Sequence, residues 1–205
     1  LMDLCTYHSH CNFCDGKAPA EDFVRAAIEA GFHSYGISSH SPLPFETRWS
    51  LSKGNVEAYL MELKRLQEKY AGQIELYVGM EIDYLNDDWG PAIEYFQRMP
   101  LDYRIGSVHL VTEEQTGEIM DMDGKFEDFR ENLRMVFRDD LKYLVEAYFK
   151  ASSRMVELGG FDFVAHLDKI SMNGSLMDST LTKQEWYNRL LWDYMSLIAE
   201  RGVVV

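Results

Sequence analysis

The chain has 205 residues, of which 46% are hydrophobic, and its formal net charge at pH 7 is −14. This composition predicts one domain with a sizeable core, and the acidic balance argues against nucleic acid as a partner, because binding to phosphates needs clustered Lys and Arg. The sequence shows neither an apolar stretch long enough to span a membrane nor a signal segment, so we expect a cytoplasmic protein without membrane contact.

Apolar runs typical of strands alternate with stretches of helical periodicity along the chain. The predicted strands cover residues 1–7, 33–40, 73–82, 101–110 and 161–166, and the predicted helices cover 21–30, 52–70, 91–98, 126–158 and 182–200. The 126–158 helix is expected to break near Arg138-Asp139, and residues 41–51, 111–125 and 167–180 are expected to be loops. This order predicts an α/β fold with parallel strands and right-handed crossovers.

The last three residues, Val203-Val204-Val205, resemble the opening of a sixth strand. A parallel sheet that stopped there would keep an exposed edge. We therefore expect the natural protein to continue beyond this point, the alternative being a frayed end on a complete open sheet. No internal repeat or linker divides the chain, so residues 1–205 are predicted to be a single domain.

His8 and His10 follow the first predicted strand. Side chains two residues apart on a strand share a face, so the pair can offer two imidazole nitrogens to one metal ion. An isolated pair of this kind can also cap the strand or stay solvated. The positions of the other histidines favour the interpretation as a metal site.

The remaining candidate ligands also fall at or just after the carboxyl ends of predicted strands, which is where α/β enzymes place their active sites. Together with the first pair they number seven: His8, His10, Asp15, His40, Glu81, His109 and His166. Only His33 lies at the beginning of a strand, and it is expected to be structural or solvated.

Nitrogen and carboxylate ligands without a thiolate suit Zn²⁺, Mn²⁺ or Fe. Seven ligands exceed the needs of one four-coordinate ion, so two or three divalent ions are predicted. A carboxylate such as Glu81 can bridge two cations, which would activate water and neutralise phosphoryl oxygens. That chemistry is typical of phosphomonoester hydrolysis, and it would supply positive charge to an acidic protein.

Three cations near these ligands are candidates for substrate binding: Arg48 in the loop after His40, Lys17 and Lys169. Surface solvation is the competing interpretation for each of them. Cys11 and Cys14 have the C-x-x-C spacing. Without a second cysteine pair, however, loop packing explains them better than redox or zinc chemistry does.

The ligand motifs, in their order along the chain, resemble those of the PHP family, the polymerase and histidinol phosphatase superfamily. The resemblance spans essentially the whole chain, and the loop at Asp15-Gly16-Lys17 together with the Gly-Ser-Val-His segment resembles the histidinol-phosphatase branch. The motifs are His8-Ser9-His10, Asp15-Gly16, Ser39-His40-Ser41-Pro42, Gly79-Met80-Glu81, Ile105-Gly106-Ser107-Val108-His109 and Ala165-His166-Leu167-Asp168.

This resemblance implies a distorted (β/α)7 TIM-like barrel with a trinuclear metal centre. By position, one metal would be held by His8, His10 and Glu81, which would also bridge to a second metal. The second would be held by His109 and His166, and the third by Asp15 and His40. The residues of the first two sites are the candidate catalytic residues. The family also has a C-terminal Asp-x-His motif, which this sequence does not contain.

The function that the resemblance implies is hydrolysis of L-histidinol phosphate to histidinol and phosphate, in histidine biosynthesis. A PHP phosphoesterase acting on another substrate, such as a phosphotyrosine protein or a nucleotide, is the main alternative. A metal-dependent amidohydrolase and a non-catalytic PHP-like binding module also stay open. The oligomeric state is not predicted.

Overall fold

A computed structural model describes residues 4–205 of the chain, and it contains seven strands and seven α-helices within them. The strands are β1 Leu4–Thr6, β2 Phe32–Ile37, β3 Glu75–Asp83, β4 Tyr103–Ser107, β5 Leu110–Thr112, β6 Ile119–Asp121 and β7 Phe163–Val164. The helices are α1 Ala20–Glu29, α2 Val56–Lys69, α3 Glu94–Gln97, α4 Phe126–Phe137, α5 Leu141–Leu158, α6 Ile170–Met177 and α7 Glu185–Glu200. Across this described part, no helix combines the length and the apolarity needed to cross a membrane.

The chain folds into two compact units and passes between them three times: within β3, between Ile93 and Glu94, and within β4. The first unit comprises the residues up to Ile82 together with Glu94–Ile105. The second comprises Asp83–Ile93 and Gly106–Val205.

The sheet of the first unit has the order β1-β2-β3-β4. β1 pairs in parallel with β2, and β2 pairs in parallel with β3, with Ser34 opposite Glu75 and Ile37 opposite Val78. α1 and α2 cover this sheet with buried faces that include Val24 and Leu63. The alternation of strands and crossover helices therefore produces the parallel arrangement that the sequence predicts.

Tyr103 fills the space between the strands of the first unit. A Cβ atom added to Gly79 would lie 2.2 Å from Tyr103 Cζ, and one added to Gly36 would lie 2.3 Å from its hydroxyl, so both positions need glycine. The Tyr103 hydroxyl donates to the carbonyl oxygen of Tyr7 over 2.6 Å. This contact supports the residue directly before His8.

In the second unit, β7 continues from β4 through a hydrogen bond from Ala165 N to Gly106 O of 2.9 Å. Its core includes buried aromatic residues of α5 and α7, among them Tyr148 and Tyr194. Phe163 forms one parallel bridge with Val204, which is the part of the predicted sixth strand that the structure contains.

The predicted break of the long helix is confirmed. Arg138 and Asp139 have φ angles of 55° and 62°, which lie in the left-handed region, and they separate α4 from α5. The Asp140 carboxylate then accepts a hydrogen bond from Tyr143 N over 2.9 Å and caps the new helix.

Two loop predictions are wrong. Residues 167–180 contain α6, whose Gly174 packs against Leu181, so tertiary packing outweighs a sequence of low helix propensity. Residues 111–125 contain β6, which pairs antiparallel with β5 around a turn in which Gly117 has a φ of 75°. The fourth predicted strand correspondingly ends at Ser107 instead of residue 110. Residues 1–3 of the first predicted strand lie outside the described residues.

Candidate metal centre

The predicted ligands of the first unit lie at the ends of consecutive parallel strands. His8 and His10 follow β1, and His40 follows β2. The pairing of β2 with β3 extends past the end of β2, because Glu81 N donates to Ser39 O and Ser41 N donates to Glu81 O. This extension brings His40 opposite Glu81.

Three imidazole nitrogens converge on one carboxylate oxygen, Glu81 Oε2. The distances to this oxygen are 3.1 Å from His8 Nε2, 3.2 Å from His10 Nε2 and 3.2 Å from His40 Nδ1. Glu81 is 1% exposed, so the negative charge lies at the centre of the group and inside the protein. A buried carboxylate needs partners of this kind, because an uncompensated buried charge is costly.

The atoms of this group fit the demands of divalent metal ions. Ligand atoms of one tetrahedral zinc ion lie about 3.3 Å apart, given bond lengths of about 2.0–2.1 Å. One possible ligand set is His8, His10 and Glu81, and a second is His10, Asp15 and His40, with the ligand atoms of each within 4.8 Å of one another. A donor set of imidazole and carboxylate suits borderline ions such as zinc.

His10 is contacted from behind by two further side chains. Its Nδ1 lies 3.1 Å from Asp15 Oδ1 and 3.5 Å from Cys14 Sγ. Burial lowers the pKa of His10, but the contacts with Cys14 and Glu81 outweigh it and raise the pKa to about 10. Burial raises the pKa of the Cys14 thiol, but contacts with His10, Ser39 and the backbone of His40 together outweigh it and lower the pKa. The sequence favours loop packing for Cys14 and does not predict this contact.

The second unit holds the other two predicted histidine ligands side by side. His109 Nε2 and His166 Nε2 are 3.0 Å apart. Behind His109 lies Asp83, which is fully buried and whose Oδ1 lies 2.9 Å from both the backbone N and the Nδ1 of His109. The residues predicted for the site do not include Asp83. Its spacing of two residues from Glu81 on one strand was the available signal, because such residues share a face.

The three cations predicted to bind substrate occupy different environments. Arg48 and Lys17 are exposed. Lys169 Nζ lies 2.9 Å from Asp123 Oδ2. Burial raises the pKa of Asp123, but the contact with Lys169 and other groups outweighs it and lowers the pKa. The charge of Lys169 is therefore partly balanced within the protein.

Comparison with protein families matches residues 6–205 to the PHP domain. The chain is 25% identical over 177 residues to the "Probable histidinol-phosphatase" of Deinococcus radiodurans, covering 82% of this chain and 62% of that protein. It is 25% identical over 135 residues to the histidinol-phosphatase of Bacillus subtilis, covering 57% of this chain and 47% of that protein. The chain thus spans less than two thirds of the length of these relatives.

Two solved structures have a similar fold. One is a Listeria monocytogenes protein assigned as a histidinol phosphatase, with a TM-score of 0.82 and 22% identity over 98% of this chain and 80% of that one. The other is a histidinol phosphate phosphatase of Lactococcus lactis complexed with zinc, L-histidinol and phosphate, with a TM-score of 0.71 and 20% identity over 97% of this chain and 70% of that one. These likenesses confirm the predicted fold class.

Proposed function

This chain belongs to the PHP domain family, and from that premise we propose that it is a metal-dependent phosphomonoester hydrolase acting on L-histidinol phosphate. The observation that carries the proposal is the convergence of three imidazole nitrogens on the buried Glu81 carboxylate. Such a group is suited to hold divalent ions in a protein whose net charge of −14 would otherwise repel a phosphoester.

The proposed ligands are the seven predicted from the sequence, and two or three ions of zinc, manganese or iron are proposed to occupy them. In the first unit, His8, His10 and Glu81 would hold one ion, and Asp15 and His40 would contribute to another. In the second unit, His109 and His166 would bind through their Nε2 atoms. When bound, such ions make water a stronger nucleophile and neutralise the charge that develops on phosphoryl oxygens.

The side chains of the first unit have distinct proposed roles. Glu81 supplies the central negative charge, and its burial fixes the geometry of the three histidines around it. The side chain of His8 is 36% exposed, against 21% for His10 and 9% for His40. The phosphoester is therefore proposed to approach from the side of His8. Trp49 packs edge-on against the His40 ring at 4.9 Å and shields it from water.

The substrate is proposed from the relatives. The curated proteins similar to this chain carry the name histidinol-phosphatase, and the Lactococcus lactis structure contains L-histidinol and phosphate. Lys169 and the exposed Arg48 and Lys17 are proposed to assist in anion binding. Lys169 would do so after exchange of its contact with Asp123.

The test is phosphate release from L-histidinol phosphate, compared with a panel of other phosphomonoesters, after reconstitution with Mn²⁺ or Zn²⁺. We expect the protein to prefer L-histidinol phosphate by about a hundredfold or more. A preference of this size is attainable, because a site that hydrogen-bonds its substrate can reject an analogue without the bonding group by a larger factor. His8→Ala should abolish the release, and His33→Ala is the matched control, because His33 is an exposed histidine outside the ligand groups.

Other outcomes would revise the proposal in defined ways. Similar activity on all esters of the panel, or activity on a different ester alone, would rule out L-histidinol phosphate as the substrate. The assignment as a phosphatase would still stand. Failure to release phosphate from any ester, with metal bound, would overturn the phosphatase and favour an amidohydrolase or a binding module.

A further inference from the structure

One buried carboxylate oxygen contacts both the backbone and the imidazole of His109. Asp83 Oδ1 lies 2.9 Å from the backbone N of His109 and 2.9 Å from its Nδ1. Asp83 is 0% exposed and His109 is 3% exposed, so water does not compete for these contacts. An ionised carboxylate can only accept hydrogen bonds. The hydrogen on the imidazole must therefore be on Nδ1 if this contact is a hydrogen bond.

We propose that Asp83 is a positioning residue, which fixes His109 as the Nδ1–H tautomer and directs the lone pair of Nε2 towards a metal ion. The inference rests on the proposed function only in taking His109 and His166 as metal ligands. A carboxylate behind a metal-binding histidine also makes the imidazole more basic, and loss of such a partner typically costs 10–100-fold in metal affinity.

The same geometry assigns the tautomer of the neighbouring histidine. His109 Nε2 and His166 Nε2 are 3.0 Å apart, and in the metal-free protein this is the length of a hydrogen bond in which one of the two nitrogens is the donor. Because Asp83 keeps the hydrogen of His109 on Nδ1, the hydrogen between the rings belongs to His166 Nε2. In the metal-free protein, His166 is therefore the donor of this hydrogen bond and His109 is the acceptor.

Ser107 offers a competing explanation and a matched control. Its Oγ lies 3.4 Å from the same Nδ1, and it is buried as Asp83 is. A hydroxyl at this distance makes a weak hydrogen bond at best. If Asp83 sets the tautomer, Ser107→Ala leaves it unchanged.

The experiment is NMR of the ¹⁵N-histidine-labelled protein at pH 8 without metal, for the wild type, Asp83→Ala, Asp83→Asn and Ser107→Ala. Long-range ¹⁵N–¹H correlations distinguish the two tautomers of each ring. A zinc titration in the presence of a competing chelator, followed on the His109 resonances, then gives the affinity of this site.

We expect Nδ1–H on His109 and Nε2–H on His166 in the wild type and in Ser107→Ala. Asp83→Ala should lose the Nδ1–H signature of His109 and 10–100-fold in zinc affinity. Asp83→Asn keeps an acceptor oxygen without the charge, so it should retain the tautomer and show an intermediate affinity. If Asp83→Ala does not fold, the tautomer of His109 in the wild type and the zinc affinity of Asp83→Asn still test the proposal.

Nε2–H on His109 in the wild type would overturn the inference, as would a tautomer and a zinc affinity that do not change in Asp83→Ala. An equal loss in Ser107→Ala would also overturn it. A wild type that shows the expected tautomers and binds zinc, but hydrolyses no phosphoester, would contradict the proposed function and leave the role of Asp83 intact.

Discussion

The histidines of the two units are held in opposite ways. In the first unit, His8, His10 and His40 point at a shared buried carboxylate, Glu81, which is itself a candidate ligand. In the second unit, His109 is held from behind by Asp83, and its other nitrogen faces His166. A shared acceptor couples the histidines to one another, whereas an acceptor behind the ring orients one histidine alone. Loss of Glu81 should therefore impair metal binding by all three histidines of the first unit at once. In the second unit, each lost side chain should impair metal binding by a smaller step.

The largest effect is expected from Glu81→Gln. It removes the charge shared by three imidazoles, so zinc affinity and phosphate release should both fall by more than about a hundredfold, the upper end of what loss of an outer-shell partner costs. Chelator competition and a phosphate-release assay measure the two losses. Glu113→Gln is the control, because Glu113 is equally buried but contacts Thr116 and Tyr143 instead of histidines. Comparable losses in both variants would show that burial of a carboxylate, and not its place among the ligands, is what matters.

The second-largest effect is expected from a change beside Tyr103, which supports the histidines of the first unit. Gly79→Ala would place a Cβ 2.2 Å from Tyr103 Cζ, and overpacking of this kind costs about 1–3 kcal/mol of unfolding free energy. Displacement of Tyr103 should also disturb its hydrogen bond to Tyr7 and weaken zinc binding by the adjacent His8.

Urea unfolding and zinc titration check this expectation. Gly54→Ala is the matched control in the same unit, because nothing lies within 4 Å of a Cβ at that position. Unfolding free energies that agree within about 0.5 kcal/mol for the two variants, the usual range for surface substitutions, would contradict the packing argument.

A smaller, pH-dependent effect follows from His10. Its pKa in the folded, metal-free protein is about 10, above the ordinary value of 6.5. The folded state thus binds this proton more tightly than the unfolded state does. The stabilisation is fully present below pH 6.5 and is lost as the pH rises through 10. Zinc competes with the same proton, so zinc affinity should rise over this range.

NMR titration of His10 in the metal-free protein gives the midpoint directly, and urea unfolding at several pH values gives the stability. His10→Asn should lack this contribution to the pH dependence. A midpoint near 6.5 would mean that the contacts with Glu81 and Cys14 do not outweigh the burial of the ring.

Much of the fold follows from local pattern. The strands of the first unit and the helices α1, α2, α5 and α7 are predictable because each has an apolar face of the proper period. α6 is not predictable in this way, since Ser171, Gly174 and Ser175 favour loops and only packing against Leu181 and its neighbours makes the helix stable. β5 and β6 have three residues each, which is too short for a periodic signal.

The sequence predicts those features of the site that follow from the positions of residues at strand ends. Period two places His8 and His10 on one face, and the ends of parallel strands collect the other histidines. The contacts behind the rings depend on side-chain directions across distant segments: Asp83 reaches His109 over 26 positions of sequence. For the same reason, Cys14 could be identified as half of a weak motif but not as a neighbour of His10.

The smallest expected effect separates the two kinds of support. Cys14 Sγ lies 3.5 Å behind His10, much as Asp83 lies behind His109, but the contact is longer and belongs to a less buried side chain. Cys14→Ser should therefore lower zinc affinity by less than about tenfold, below the range for a buried carboxylate partner. The chelator competition used for Glu81→Gln measures it, with Cys5→Ser at an exposed cysteine as the control. A loss larger than that of Asp83→Ala would mean that the Cys14 sulfur is itself a ligand, and that the first group prefers softer metals than its nitrogen and oxygen atoms indicate.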